Sequence, residues 1–313
     1  MTTVELSVII PVFNEEENVA VTVERVCHEL DRHKLLFELV IVNDGSTDQT
    51  GEKLHALQNE YSQIRAINYF PNMGRGMALR RGFQEAVGRF IVSIDADLSY
   101  DENHIIRLYE SLKVSPTTDI VLGSVYMRGG EMRDVPWNRR AISRLGNWIL
   151  SFALRGKFKT ITCVLRGYKK EVIQALDLTS TGKEIHLEIL LKAVAYGFSI
   201  AEIPATLKWR KKGRSKFRVT STSISHLLFS VAMRPMILFG VLGLIMIAIG
   251  VGIGLQVTYL WLQNQLNPAR PIINLMIILI VGGIQTISFG FLAFQLSELR
   301  HDIIRLQKWL KSK

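Results

Sequence analysis

Acidic residues are missing from a long part of this 313-residue chain: none occurs from Ile203 to Ser297. Inside that span, Met236–Ala269 and Pro271–Ser297 carry no charge of either sign. Each run exceeds the ~20 apolar residues that a membrane-crossing helix needs. A water-soluble enzyme throughout is thereby disfavoured, and a buried helical hairpin in a soluble fold is the lesser alternative. Cysteine is scarce too. Cys27 and Cys163 are too few for a disulfide framework, and nothing spaces them as metal ligands, which fits a reducing compartment. The opening MTTVELSVII has neither a basic stretch nor a long apolar core, so no secretory signal is expected and the first domain is expected in the cytoplasm. With 48% hydrophobic residues, the chain is too apolar for a disordered protein.

The net charge is +10. Such a balance suits nucleic acid, an anionic lipid surface or a phosphate-bearing substrate. Much of it surrounds the apolar runs. Seven Lys/Arg lie between Lys208 and Arg218, Arg234 follows, and Arg300, Arg305, Lys308, Lys311 and Lys313 come after the second run. The connecting stretch Gln263–Arg270 has Arg270 alone. The positive-inside rule then predicts a two-helix hairpin with both ends cytoplasmic. The expected organisation is a domain over residues 1–218, a juxtamembrane segment 219–234, membrane helices 235–262 and 271–297, and an amphipathic tail 298–313 lying on the bilayer.

The first 125 residues alternate apolar runs with amphipathic stretches. Strands are predicted at Leu6–Val12, Phe37–Val42, Ile64–Tyr69, Phe90–Ile94 and Asp119–Gly123. Helices are predicted over Glu16–Asp31, Thr47–Glu60, Gly76–Val87 and Asn103–Leu112. That order implies an α/β fold with a mainly parallel, Rossmann-like sheet and helices on both faces. Farther on, helices are expected at Asn138–Leu154 and Lys183–Ala195, and a strand-like run at Ser199–Leu207.

In such sheets ligands bind beyond the carboxyl ends of the strands. The first strand ends in Pro11-Val-Phe-Asn14-Glu15, where Asn and Glu suit either a helix cap or contacts to a nucleoside. The second ends in Asn43-Asp44-Gly45-Ser46-Thr47-Asp48, with Asp44 facing the crevice or capping, and Gly45 permitting the turn. Asn72-Met-Gly74-Arg75-Gly76 opens a helix, where glycines allow amide N–H groups to approach an anion. The fourth ends in Asp95-Ala96-Asp97. In an extended segment alternate residues share a face, and two such carboxylates call for a hard divalent cation, Mg²⁺ or Mn²⁺, that also bridges a diphosphate. The seven histidines are scattered and form no metal cluster.

These motifs, in this order, resemble the family 2 glycosyltransferases of the GT-A fold. The resemblance extends over about residues 4–218 to the polyprenyl-phosphate branch typified by dolichyl-phosphate mannose synthases, through Arg166 ahead of Tyr168-Lys-Lys-Glu171, Glu188 in IHLEIL, and Arg210-Lys-Lys-Gly213-Arg-Ser215-Lys216. Where that branch often has D-L-T-G-S-F before the arginine, this chain reads TITCVL. The resemblance implies Pro11, Asn14, Glu15, Asp44, Asp95 and Arg166 as the nucleotide-sugar site. It implies Asp95 and Asp97 as metal ligands, and Asp95, Asp97, Arg166 and Glu188 as catalytic. Arg210, Ser215 and Lys216 would hold the lipid phosphate. The expected activity is inverting transfer of one sugar from a GDP- or UDP-sugar to a polyprenyl phosphate at the inner face of the cytoplasmic membrane. The expected partners are donor, lipid acceptor and bilayer, with no nucleic acid. Self-association of the two-helix anchor is compatible with this. Two alternatives stand beside this reading. A processive polysaccharide synthase would add Q-x-x-R-W, which this chain lacks, and a membrane-tethered scaffold would not need the aspartate pair.

Overall fold

The computed structural model describes residues 4–97, 99–153, 158–209, 235–263, 265 and 271–311. Contacts divide the chain into two units, residues 1–226 and 227–313.

In the first unit the five expected strands form: β1 (Leu6–Val12), β2 (Phe37–Asp44), β3 (Ile64–Tyr69), β4 (Phe90–Ser93) and β5 (Ile120–Ser124). The expected helices between them are α1 (Val19–Arg32), α2 (Thr50–Glu60), α3 (Arg75–Glu85) and α4 (Asn103–Val114). β1 and β2 are buried almost end to end, as continuous apolar runs in a sheet covered on both faces should be. α1 buries Val19, Val23, Val26, Cys27 and Leu30, a helical stripe that packs with Leu6, Val8, Ile10 and Val12 on one face of β1.

Beyond β5 the chain adds further elements, which include the two helices and the strand-like run expected from the sequence. These are β6 (Glu131–Arg133), α5 (Trp137–Ala153), β7 (Arg166–Lys169), α6 (Lys170–Ala175), α7 (Ile185–Ala195), β8 (Ile200–Pro204) and β9 (Thr206–Lys208). The main sheet runs β3-β2-β1-β4-β7-β5-β8. β7 lies antiparallel between β4 and β5, so the fourth and fifth predicted strands are not neighbours. Every other pairing in this sheet is parallel. β6 and β9 form a separate parallel pair. β1 has β2 on one side and β4 on the other, and the crevice of such a sheet opens above the carboxyl end of this central strand.

The second unit contains α8 (Pro235–Leu262) and α9 (Pro271–Lys311). Both are long and apolar enough to cross a membrane, over Leu238–Leu262 and Pro271–Leu296, with mean hydropathies of 2.6 and 2.2. α9 continues without a break into the expected tail, as far as Lys311. The two helices touch backbone to backbone at Gly243 and Gly283. A Cβ on either would come within 2.7 Å of the other's carbonyl oxygen, so only glycine fits this crossing. Arg210, Ser215 and Lys216, the expected lipid-phosphate residues, and the juxtamembrane segment 219–234 lie outside the described residues.

Candidate active site

A cleft of about 510 Å³ opens where the topology places it, over the carboxyl ends of β1, β2 and β4. Pro11, Glu15, Asp44, Asp95 and Asp97 line it, together with Asn72, Gly74, Arg75, Ser99, Lys183 and Trp209. A side cavity of about 190 Å³ shares Arg75, Asp95 and Ser99 with the cleft and is edged by Tyr126, Asn147, Thr160 and Thr162.

The aspartate pair is built differently from the extended segment that the sequence suggested. β4 stops at Ser93, and Ala96-Asp97 form a turn. Both carboxylates nevertheless reach the same cleft. The turn is pinned from beneath: the buried Thr22 of α1 donates its hydroxyl to the Ala96 carbonyl at 2.5 Å. The Asp97 carboxylate accepts the Ser99 N–H at 3.0 Å. Asp95 meets the guanidinium of Arg75 at 3.0 Å. Among the described residues no three His, Cys, Asp or Glu side chains gather as a metal-binding group. Two carboxylates alone suit a hard divalent cation whose remaining ligands come from water and substrate phosphates, so this donor set fits a cation that arrives with a diphosphate.

Asp44 lines the cleft, but its carboxylate is engaged by the loop that follows β3. It accepts from Met73 N at 2.7 Å, from Gly74 N at 3.0 Å and from the Asn72 amide at 2.9 Å. The amides ahead of α3, expected to meet a ligand anion, are thus turned to the protein's own carboxylate. The glycines serve backbone packing. Gly74 has φ +95°, and a Cβ at Gly76 would lie 2.6 Å from the Gly182 carbonyl oxygen. Asn14 also works as a brace: its Oδ1 accepts Thr47 N at 2.8 Å, while its own N–H donates to Ser46 Oγ at 2.9 Å. Glu15 accepts from the Asn18 amide at 2.8 Å and keeps its place on the cleft wall.

Arg166 and Glu188 are placed elsewhere. Arg166 is fully buried and does not line the cleft or the side cavity. Its guanidinium donates to the carbonyls of Cys163 at 2.9 Å, His186 at 2.8 Å and Ile161. Glu188, 5% exposed, accepts from Thr179 N and Ser180 N at 2.9 Å each, from the Thr179 hydroxyl, and from Lys192 Nζ at 2.7 Å. Burial opposes its ionisation. The Lys192 ammonium and the two amides outweigh that and hold its pKa down to about 2.

Among the described residues, Arg75, Lys183 and Lys208 are the cationic residues that line the cleft, and sequence reasoning singles out none of them as a site residue, although Lys208 opens the basic run. Arg75 had a signal, as a basic residue between two glycines at a helix start. Lys183 had none: the sequence reads it as the start of a helix, and it stands in the loop just before α7. Its ammonium is pushed towards neutrality by burial and then by Arg75, with Asp95 and Glu184 opposing.

Comparison with known proteins bears on this geometry. The Glycosyl transferase family 2 model matches residues 7–177. A dolichol-phosphate mannosyltransferase of Pyrococcus furiosus is 35% identical over 217 residues, covering 68% of this chain and 59% of that protein, so this chain matches less than two thirds of that relative. A polyprenol monophosphomannose synthase of Mycolicibacterium smegmatis is 32% identical over 236 residues, 72% of this chain and 84% of that one. Among solved structures, glucosyl-3-phosphoglycerate synthase from Mycobacterium tuberculosis, in complex with Mn²⁺, UDP and glucosyl-3-phosphoglycerate, superposes with a TM-score of 0.56. The identity is 19% over 73% of this chain and 78% of that one, a likeness of fold.

Proposed function

The chain belongs to glycosyl transferase family 2, and from that premise we propose that it moves one sugar from a nucleotide-diphosphate sugar to a polyprenyl phosphate, with inversion, at the inner face of a membrane. The observation that carries the reading is the cleft itself, in which the strand-end carboxylates Asp95 and Asp97 share a wall with Arg75 and Lys183. The names of the two relatives support a polyprenyl-phosphate acceptor and make GDP-mannose the first donor to try. The two apolar helices support an acceptor that lives in a bilayer.

The chemistry follows from charge. A phosphate monoester has its second pKa near ~6, so the attacking oxygen is already ionised near neutral pH and needs no general base. The cleft must instead screen the repulsion between the acceptor phosphate and the donor diphosphate. Arg75 and Lys183 supply positive charge for that within the cleft, and Arg75 offers the planar fork that suits phosphate oxygens. Asp95 and Asp97 would hold a divalent cation, which supplies Lewis acidity to the leaving diphosphate. Thr22 and Ser99 fix the turn on which both carboxylates sit, so their geometry is set before substrate enters. Direct attack by the phosphate oxygen on the anomeric carbon inverts its configuration. Arg210, Ser215 and Lys216, on the path from this domain to the first apolar helix, are proposed to meet the acceptor phosphate.

The test is turnover of the full chain in detergent with polyprenyl phosphate and a panel of GDP- and UDP-sugars, with and without EDTA. One sugar per lipid phosphate, lost with EDTA, is expected. A polymeric product would make the protein a processive synthase. No transfer from any donor would favour a scaffold.

A further inference from the structure

We propose that Arg75 is a resident counter-ion of Asp95, occupying the carboxylate face that a divalent cation needs, and that it yields that face only when a nucleotide diphosphate arrives to receive the guanidinium. The proposal rests on the cation reading of Asp95 and Asp97 given above.

The Arg75–Asp95 contact, at 3.0 Å, lies at the junction of the cleft and its side cavity, since both residues line both spaces. The pair is partly shielded, with side-chain exposures of 37% and 20%, so its attraction is stronger than that of an ordinary surface pair. The backbone beneath Arg75 is held from two sides. Met73 and Gly74 ahead of it are tied to Asp44, and Met77 after it donates to the Thr181 carbonyl at 3.1 Å. The start of α3 is therefore fixed, and any rearrangement falls to the long Arg75 side chain.

The surroundings set the order of events. Lys183 lines the same cleft and already feels the positive charge of Arg75. A bare divalent cation approaching Asp95 meets two side-chain cations and must displace one from its carboxylate. A diphosphate changes both terms: it attracts Arg75 and Lys183 to itself and brings its own oxygens to the cation. Cation and nucleotide should consequently bind with positive coupling, and by linkage each must strengthen the other by the same factor. Arg75 is the residue through which much of that coupling passes.

Binding, not turnover, tests this. Mn²⁺ affinity of the full chain in detergent is measured by electron paramagnetic resonance, alone and with GDP or UDP, for wild type, Arg75→Gln and Arg75→Lys. In wild type, nucleotide should tighten Mn²⁺ binding by about tenfold or more, the scale of one charge-assisted hydrogen bond exchanged. Arg75→Gln should bind nucleotide-free Mn²⁺ about tenfold more tightly than wild type and show weaker coupling to nucleotide. Arg75→Lys keeps the charge and should stay within a few-fold of wild type without nucleotide. If wild type binds Mn²⁺ with nucleotide while Arg75→Gln leaves nucleotide-free affinity unchanged, Arg75 is no counter-ion and the proposal falls, with the cation reading intact. Release of the site by Arg75→Lys as fully as by Arg75→Gln also overturns it, because charge would not be the cause. Wild type that binds no Mn²⁺ even with nucleotide removes the cation reading and this proposal together.

Discussion

The strand-end loops of β1, β2 and β4 and the segment from Phe158 to Ala195 both carry charged residues that invite a catalytic reading, yet they use them in opposite ways. Asp44, Asp95 and Asp97 come to one cleft because parallel strands deliver their carboxyl ends to one edge of the sheet. Arg166 stands level with Ser93 across the β4–β7 pairing, at the height of that same edge. Its guanidinium turns inward all the same and meets two carbonyls of the irregular chain before it, Ile161 and Cys163, and that of His186 in the first turn of α7. Glu188 likewise gathers the amides of residues 179 and 180. In the first region topology decides where a charge points. In the second, backbone without regular partners recruits the charge, because buried N–H and C=O groups must be paired.

The largest effect should come from the first region. Removing Asp97 takes away one of two proposed cation ligands, and Lewis-acid stabilisation of several kcal/mol corresponds to about 10³-fold or more in rate. Asp97→Ala should lose transfer on that scale. Its melting temperature should stay close to wild type, since the carboxylate faces the open cleft, where it accepts the Ser99 N–H. Equal loss of folding and activity would erase the distinction between the regions.

Arg166→Met should do the reverse. It leaves three buried carbonyls without their donor, a loss on the order of 3–5 kcal/mol of stability. Thermal and urea unfolding would show it, and turnover per folded molecule should change by only a few-fold. A fully folded Arg166→Met protein with turnover down by about 10³-fold would instead place this arginine on the substrate and break the comparison.

How far the sequence could be read follows the same division. β1 to β5 announce themselves as apolar runs, and the strand-end rule led from them to Asp44, Asp95 and Asp97. β7 stayed hidden because Arg-Gly-Tyr-Lys has no apolar run, although its first three residues are buried. A Cβ at Gly167 would press the tip of the Leu112 side chain at 2.9 Å and crowd Leu108 at 3.3 Å, so β7 packs closely on α4. The resemblance drew attention to Arg166 and Glu188 as residue types in a motif, and a motif does not say which way a side chain turns. Thr22 gave no signal: a threonine on the inner face of an amphipathic helix reads as core, and its bond to Ala96 depends on two elements meeting across the fold. Lys183 was equally silent: the sequence reads it as the first residue of a helix, whereas α7 begins at Ile185 and the loop ahead of it brings the ammonium to the cleft.

The smallest effect belongs to Glu188, and its pH dependence gives the comparison its finest test. The folded carboxyl has its pKa held down to about 2, against an ordinary value of 4.5. A depressed acid adds stability above its unfolded pKa and loses it as pH falls through the folded one. The contribution should thus be complete near neutral pH, diminish below about pH 4.5 and vanish near pH 2. Glu188→Gln keeps the size of the side chain but loses the charged partner of Lys192, and should cost about 1.5–3 kcal/mol near neutral pH. That deficit should shrink steadily as the acid limb is descended, whereas a packing defect would persist at every pH. Activity should respond only through the loop. Thr179 and Ser180 lead into Thr181 and Gly182, which abut Gly74 and Gly76 on either side of Arg75, so a loosened loop should raise the KM for donor a few-fold with little change in kcat. Differential scanning calorimetry across the acid range and steady-state kinetics on the same preparation read both consequences. A Glu188→Gln protein of unchanged stability whose kcat collapses would put this carboxylate in contact with substrate and break the comparison.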